Sequence, residues 1–523
     1  MKKFFQFALT IWVLAICMVS CKEGPVPPDE DDDVIVVEPN VNFDEFLDGN
    51  IFLNLNPYIY TPLSAEVRFD TKDLTTVQIR VLGEEIVEQS FALASTTHEL
   101  PVLGLYAGRT NQVEITLTDS NGDIAKDTLE VTTDPLPNFF PTVNIETKKE
   151  SEMEPGMNLA EFSTGNGGLI ESYPFIFDSN GDIRWYLDLN RFNKLLFPIR
   201  RLTNGNWIIG DRNRLYEYDM LGKEVNFYFF NGYAQHHEIV EKPNGNLLLC
   251  VSKDDIPTEE DFVIEVERNT GHIVREWDLR ESLDMYRRDL MNNAVDWFHG
   301  NAIAFDPSDN SIIISGRNQG IVKVSQYNEL VWILAPHQGW GQAGINADGH
   351  DTNDFLLQAI QSDNQPYPND VQQGLVAAND FDWSWGQHTP MILPNGNLFV
   401  LDNGLNRHFL ETATYTRGVE YEIDETNMTV KEVWQYGKER GVEYYAPIIS
   451  DVDYLPETGN YLIIPGLIYQ AGYNGAYITE VKPANKEVVF EAEIIFTNKF
   501  GTSNGSWGHV DIMYRAERLS LYP

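Results

Sequence analysis

Cysteine is nearly missing from this chain of 523 residues: only Cys17, Cys21 and Cys250 occur. No CxxC pair or other thiolate pattern for zinc can be built from them, and no disulfide framework staples the fold. Cys250, in the apolar run LLLCV, reads as a buried strand residue. Basic charge is also scarce. The sequence holds 37 Lys and Arg against 79 Asp and Glu, a formal net charge of −42. This balance excludes nucleic acid as a partner, because phosphate binding needs a basic footprint. An anionic substrate would have to be held by local cations against the global field. The apolar run at the N-terminus is too short and too early for a stable membrane span.

What is there begins with MKKFFQFALTIWVLAICMVSC. Lys2 and Lys3 precede a short apolar stretch at residues 4–16, the pattern of an export signal. Met18-Val19-Ser20-Cys21 places small residues before a cysteine, as in the cleavage box of bacterial lipoproteins, where the cysteine becomes the lipidated first residue. Residues 1–21 are therefore expected to be a lipoprotein signal peptide, with lipidation at Cys21. Residues 22–40 form an acidic, Pro-rich tether; its opening stretch with the cysteine, CKEGPVPPDEDDD, has no core-forming side chains. The expectation is an exported lipoprotein, periplasmic or anchored in the outer membrane, that meets the membrane through its lipid.

Residues 41–137 alternate apolar and polar side chains in short runs such as EVRFD, TTVQIRVLG, NQVEITLTD and DTLEVTTD. A domain of about a hundred residues patterned this way is expected to be a small immunoglobulin-like β-sandwich. His98 sits in an ordinary strand context and reads as structural. TTDPLP ends the segment, the residues to about Phe162 read as loop, and the domain boundary is placed between 137 and 138.

From Tyr173 a unit recurs: apolar strand, Asn-Gly-type turn, apolar strand, then further strands. Copies start near YPFIFDSNGDIRWYLD, IRRLTNGNW, HEIVEKPNGN, HGNAIAFDPSDN, HTPMILPNGN and SDVDYLPETGN. Asn and Gly accept the positive φ of hairpin turns. Four-stranded units repeated radially make a β-propeller. The predicted fold is all-β: a six-bladed β-propeller over residues 138–523, preceded by the N-terminal β-sandwich domain. The C-terminal segment HVDIMYRAERLSLYP would join the YPFIFDSNGDIRWYLD strands and close the ring. Seven blades and an open sandwich are the alternatives. The insertion from Gln338 to Trp385 is a candidate to supply a channel loop that selects substrates.

His237, His299 and His388 open three of these units at one register, so the propeller should bring them to one rim of its channel. Phe197 and Ser450 occupy that register in two other units, and His509 is a further candidate for the same rim. Arg317 follows the second strand of the His299 unit, and Asn301, two residues after His299, should share its face. Three imidazoles, a guanidinium and a carboxamide suit an oxyanion, with imidazole as nucleophile, acid or base. A metal-dependent hydrolase with a three-histidine site is the rival, and a non-catalytic binding propeller is a third reading. Asp382 and Asp402 flank the His388 strand and could serve a metal, although structural roles fit them better. Trp383 and Trp385 are open to two readings, blade packing or walls for an aromatic substrate. His236 should point away from His237 on an extended strand, while His272, His337, His350 and His408 have no repeat relation to the cluster.

HHEIVEKPNGN, DWFHGNAIAFDPSDNSIIISGRNQG and WSWGQHTPMILPNGNLFVLDNG, taken in order, resemble the bacterial arylsulfate sulfotransferases. NPYIYTPLSAEV, LPVLGLYAGRTNQV and TTDPLP resemble that family's N-terminal domain, so the likeness runs from about Val41 to Pro523. The resemblance implies a six-bladed propeller that transfers a sulfuryl group from a phenolic sulfate ester to a phenolic acceptor. No nucleotide donor, metal or other cofactor is called for. It also implies a ping-pong mechanism through a sulfohistidine. By motif, His388 matches the transiently sulfurylated residue, and His237, His299 and Arg317 match the groups that bind the sulfuryl and assist proton transfer. Asn301 matches a polar, substrate-binding neighbour. The resemblance allows a homodimer. One departure is plain: a disulfide that some members carry near the site cannot form here.

Overall fold

Asn-Gly-Asn turns show how this sequence builds a blade. In the computed structural model, which describes residues 39–167, 170–189, 196–412, 414–470, 473–501 and 508–522, Gly205, Gly245 and Gly396 have φ of 83°, 84° and 88°. That backbone region suits a residue without a Cβ. The preceding asparagines brace the turn, their side-chain oxygens accepting from the backbone N–H of Asn206, Asn246 and Asn397 at 3.1, 3.1 and 3.0 Å. The second asparagine then reaches across the blade. Asn206 donates to Glu217, Asn246 to Glu265 and Asn397 to Glu420, at 2.7, 2.7 and 2.6 Å. Asn460 of the related ETGN turn donates to Glu480 at 2.7 Å. Each glutamate stands on the third strand of its sheet, so the turn between the first two strands is tied to the third.

Six antiparallel sheets are arranged as propeller blades among the described residues. Their innermost strands are Ile199–Arg201, Tyr233–Glu241, Gly300–Asp306, His388–Ile392, Asp451–Tyr454 and Ile512–Leu519. Consecutive members from Ile199–Arg201 to Ile512–Leu519 lie against one another. Arg200 on the first pairs with Glu517 on the last, which completes the circle. The expected all-β fold class with six blades is the one observed.

The ring is sewn shut twice. The C-terminal strand joins the sheet of Phe175–Phe177 and Ile183–Tyr186, as expected, but its direct partner is Met157–Gly165. At the other seam Thr142–Lys148 adds a strand to the outer edge of the last blade, beside Glu487–Ile495. Residues up to Phe162, read as loop from their weak alternation, therefore contain both closing strands. Met157–Gly165 is buried on both faces, which removes the alternating signal that sequence reasoning relies on.

The insertion from Gln338 to Trp385 is not positioned as a channel loop. Its strand Gln358–Ala359 runs parallel to the outer strand Thr429–Tyr436, and Leu356 bridges to Ile333 on the outer strand of the neighbouring blade. Leu357, Ala359, Tyr367 and Val371 bury themselves with Trp383 and Trp385 between those blades.

In the N-terminal region Ala65–Leu82 pairs along one edge with Val87–Val102 and along the other with Phe52–Leu55 and then Thr110–Asp119. His98 is buried there, with Nε2 2.9 Å from the Thr75 hydroxyl and its ring stacked on Phe69. Arg184, fully buried in the propeller, docks this region by donating to the Gly104 carbonyl at 3.0 and 2.7 Å. The expected signal peptide at residues 1–21, with its lipidation site Cys21, lies outside the described residues, as does the tether up to residue 38.

The turn-to-strand clip can be tested at Glu265. Burial pushes its pKa up, but hydrogen bonds from Asn246 and Lys242 outweigh burial and hold it below the ordinary glutamate value. The stabilisation is therefore present above the unfolded value of about 4.3 and is lost as pH falls from there through the lower folded value. Glu265→Gln is expected to cost about 2 kcal/mol at pH 7, with the gap to wild type closing below about pH 4. Urea denaturation across pH measures it, and a gap independent of pH would rule out the ionic clip.

Candidate active site

A backbone irregularity recurs at one step of the inner strands. Pairing with the second strand slips between His236 and Ile239, between Gly300 and Ala302, between His388 and Met391, and between Met513 and Ala516. His237 and Thr389 lie inside these slips with φ of 55° and 43°, and His299, with φ of 55°, immediately precedes its own. Such β-bulges re-aim a side chain that strand alternation would place otherwise. The left-handed conformation costs a non-glycine residue about 1–3 kcal/mol, so neighbours must hold it. Glu260 accepts from Gly300 N–H at 2.8 Å through its carbonyl, and the His299 carbonyl accepts from Arg317 N–H at 3.0 Å.

The bulges gather the histidines. The His237 and His299 rings are 5.0 Å apart, and the charges of both, with that of Arg317, act on His388. Phe197 meets His237 edge-on at 5.8 Å. The C-terminal strand Ile512–Leu519 contributes Tyr514, whose hydroxyl is 2.9 Å from His237 Nδ1. His509 is not at this point of the ring; it lies against Gly167.

Two carboxylates then make the imidazoles unequal. Glu260 Oε2 lies 2.9 Å from His299 Nδ1 and 3.3 Å from His237 Nε2, and Asp296 Oδ2 is 2.8 Å from the same His299 nitrogen. Burial pushes the His299 pKa down, but the hydrogen bonds to Asp296 and Glu260 outweigh it and raise the value to about 9. His299 is thus an imidazolium at neutral pH, with Nδ1 engaged by carboxylates. Burial would raise the Glu260 pKa, and the facing histidines instead hold it far below the carboxylate range.

His388 is the opposite case. Burial drives its pKa well below the imidazole range, the Asn403 hydrogen bond opposes this, and the charges of Arg317, His237 and His299 lower it further. The ring is neutral, and its tautomer follows from its partner. Asn403 Nδ2 donates to the carbonyls of Ala446 and Ile449 at 2.7 and 3.0 Å, which leaves Oδ1 as an acceptor 2.7 Å from His388 Nδ1. His388 must therefore carry its proton on Nδ1 and its lone pair on Nε2.

Arg317 supplies the fixed cation. Its Nε is buried without a hydrogen-bond partner, and among the described residues its guanidinium forms no salt bridge. Burial lowers its pKa while Asp296 and Glu260 act in the other direction; a guanidinium stays charged regardless. A neutral imidazole nitrogen, a protonated imidazole and an unpaired guanidinium together can bind an oxyanion, attack its central atom and protonate a leaving oxygen.

Asn301 is placed differently from the expectation. It follows His299 through the bulge, so the two-residue alternation fails, and its Nδ2 donates to the Gln387 carbonyl at 2.9 Å. It secures the strand of His388 from the next blade. Asp382 and Asp402 hold Arg407 at 2.7 and 2.9 Å, and Trp383 and Trp385 are buried in the blade interface. His408 bonds the Gly374 carbonyl and His337 the Leu357 carbonyl. His236 does not point away: the left-handed turn at His237 leaves the two rings 5.3 Å apart. Groups of residues able to hold a metal centre on Glu260, one with His236 and His237 and one with Asp296 and His299; His388 belongs to neither.

The family model for arylsulfotransferases (ASST) matches residues 142–502. The chain belongs to the arylsulfotransferase family. A second model, the arylsulfotransferase Ig-like domain, matches residues 52–134, the antiparallel strands ahead of the propeller. The arylsulfate sulfotransferase AssT of Escherichia coli is 29% identical over 84% of this chain and 89% of its own. The protein of that name from Lelliottia amnigena is 28% identical over the same shares. The protein is an aryl sulfotransferase.

Within this arylsulfotransferase, sequence reasoning did not reach Glu260, Asp296, Asn403 and Tyr514. Asp296 and Asn403 carried a signal, being inside DWFHG and VLDNG beside motif histidines. Glu260 lies in a loop of many acids, and Tyr514 has no following turn to set its register. Asn403 is a positioning residue with a distinct signature. Asn403→Leu is expected to lower kcat for aryl sulfate transfer about 100-fold, with little change in KM, because the His388 ring loses its orientation and tautomer. Steady-state kinetics check this, and a change confined to KM would remove the role.

Proposed function

We propose that this protein moves a sulfuryl group from a phenolic sulfate ester to a phenolic acceptor in two half-reactions, through a sulfohistidine at His388. The observation that supports it most is the neutral His388, its Nδ1 proton held by Asn403 at 2.7 Å, set beside the Arg317 cation. In the first half-reaction the Nε2 lone pair attacks sulfur and the bond from sulfur to the aryl oxygen breaks. The bonding pair leaves on that oxygen, and the protonated His299 donates to it. Arg317 binds the sulfuryl oxygens with its planar fork, against the acidic field of the chain. In the second half-reaction an acceptor phenol gives its proton to the now neutral His299. The phenolic oxygen attacks sulfur, the N–S bond breaks, and His388 recovers its lone pair. His237, between Tyr514 and Glu260, shares the pocket and orients the transferring group.

The test is intact mass after mixing with an aryl sulfate and no phenol. Wild type is expected to gain one acid-labile sulfuryl adduct on His388. His388→Asn should gain none and should lose about 10⁴-fold or more in turnover. Release of phenol by wild type without any adduct would sink the sulfohistidine. Exhaustive chelation is expected to leave phenol-dependent turnover unchanged, whereas a loss restored by added metal would favour the metal-dependent hydrolase.

The leader adds a location to this reading. Cys21 after Met18-Val19-Ser20 supports an exported, lipid-anchored enzyme, periplasmic or at the outer membrane. Cys21→Ser is expected to move the protein from the membrane to the soluble fraction on fractionation; retention at the membrane would remove the anchor.

A further inference from the structure

His236 takes no part in the chemistry above, yet it stands against it. The φ of 55° at His237 leaves the two rings 5.3 Å apart instead of on opposite faces. Both ring nitrogens of His236 are buried, and neither makes a hydrogen bond. Buried polar atoms are rarely left in that state without a reason. Glu260 completes the group: ligand atoms of His236, His237 and Glu260 all lie within 4.8 Å of one another. His237 Nε2 and Glu260 Oε2 are 3.3 Å apart. Two ligands on a tetrahedral zinc, each about 2.0 Å from the metal, are separated by about 3.3 Å. On the other side of the ring, His237 Nδ1 is 2.9 Å from the Tyr514 hydroxyl. An imidazole that ligates through Nε2 normally keeps such an oxygen on Nδ1.

We propose that His236, His237 and Glu260 form a site for zinc or a similar transition-metal dication, and that filling it inhibits sulfuryl transfer. Two imidazoles and one carboxylate suit zinc, with water in the fourth position, whereas magnesium and calcium prefer all-oxygen sets. The inhibitory half rests on the roles proposed for His237 and His299. A metal on His237 Nε2 occupies one of those groups. It also draws on the Glu260 carboxylate that now lies 2.9 Å from His299 Nδ1.

The test is a zinc titration of the folded full-length protein by calorimetry, run beside the transfer assay. Wild type is expected to bind one zinc at this site and to lose transfer as it fills. His236→Gln should transfer at the wild-type rate without zinc, bind zinc more than about 10-fold more weakly, and resist inhibition to the same extent. His236→Asn repeats the comparison if the glutamine variant folds poorly. No zinc uptake by wild type overturns the site, as does a His236→Gln protein that binds like wild type. His236-dependent binding without loss of transfer overturns the inhibition and upholds the site. Calorimetry does not pass through transfer, so absence of an adduct on His388 would leave the binding result standing.

Discussion

A left-handed step in each histidine-bearing inner strand is the constraint on which the site depends. An ideal strand alternates its side chains, and His237 and His299 would then sit among the layers of the blades. Both residues have φ of 55° and their rings face one another, and backbone bonds from Gly300 and Arg317 hold the step at His299. The same step ties Asn301 to the Gln387 carbonyl beside His388 and brings His236 against His237. A propeller supplies a point of convergence; the bulge selects which residue at each blade uses it.

Once the histidines are gathered, charge separates them. One carboxylate oxygen of Glu260 meets His237 and His299, and Asp296 adds a second partner to His299 alone. His299 is thereby held as a cation, while His388 is held neutral by burial, with the Arg317 charge acting in the same direction. Chemically identical side chains are given different protonation states by burial and by what faces their second nitrogen. A chain of net charge −42 needs this local order to accept a sulfate ester. An arginine left without a carboxylate partner provides the compensating positive charge.

Much of the architecture was legible because it is local. The Asn-Gly-Asn turns announce hairpins, and their recurrence counts the blades. The spacing from turn back to histidine identifies a shared register, and the ordered motifs carry a family resemblance. The closing strands were harder, because Met157–Gly165 is buried on both faces and shows no alternation. The insertion misled because length in a sequence does not reveal direction; its apolar residues turned outward to cover two blades.

The sequence by itself determined the all-β class, the repeating unit, and the register shared by His237, His299 and His388, since each follows from patterns within tens of residues. Only the tertiary structure decided which atoms of those residues are available. The partners of the site come from distant parts of the chain: Glu260 serves His299, and Tyr514 reaches His237 across the closing seam. Asn403, fixed by two carbonyls on the loop into the next blade, sets the proton on His388. Protonation and tautomer depend on burial and on facing charges, and those exist only after the ring has closed.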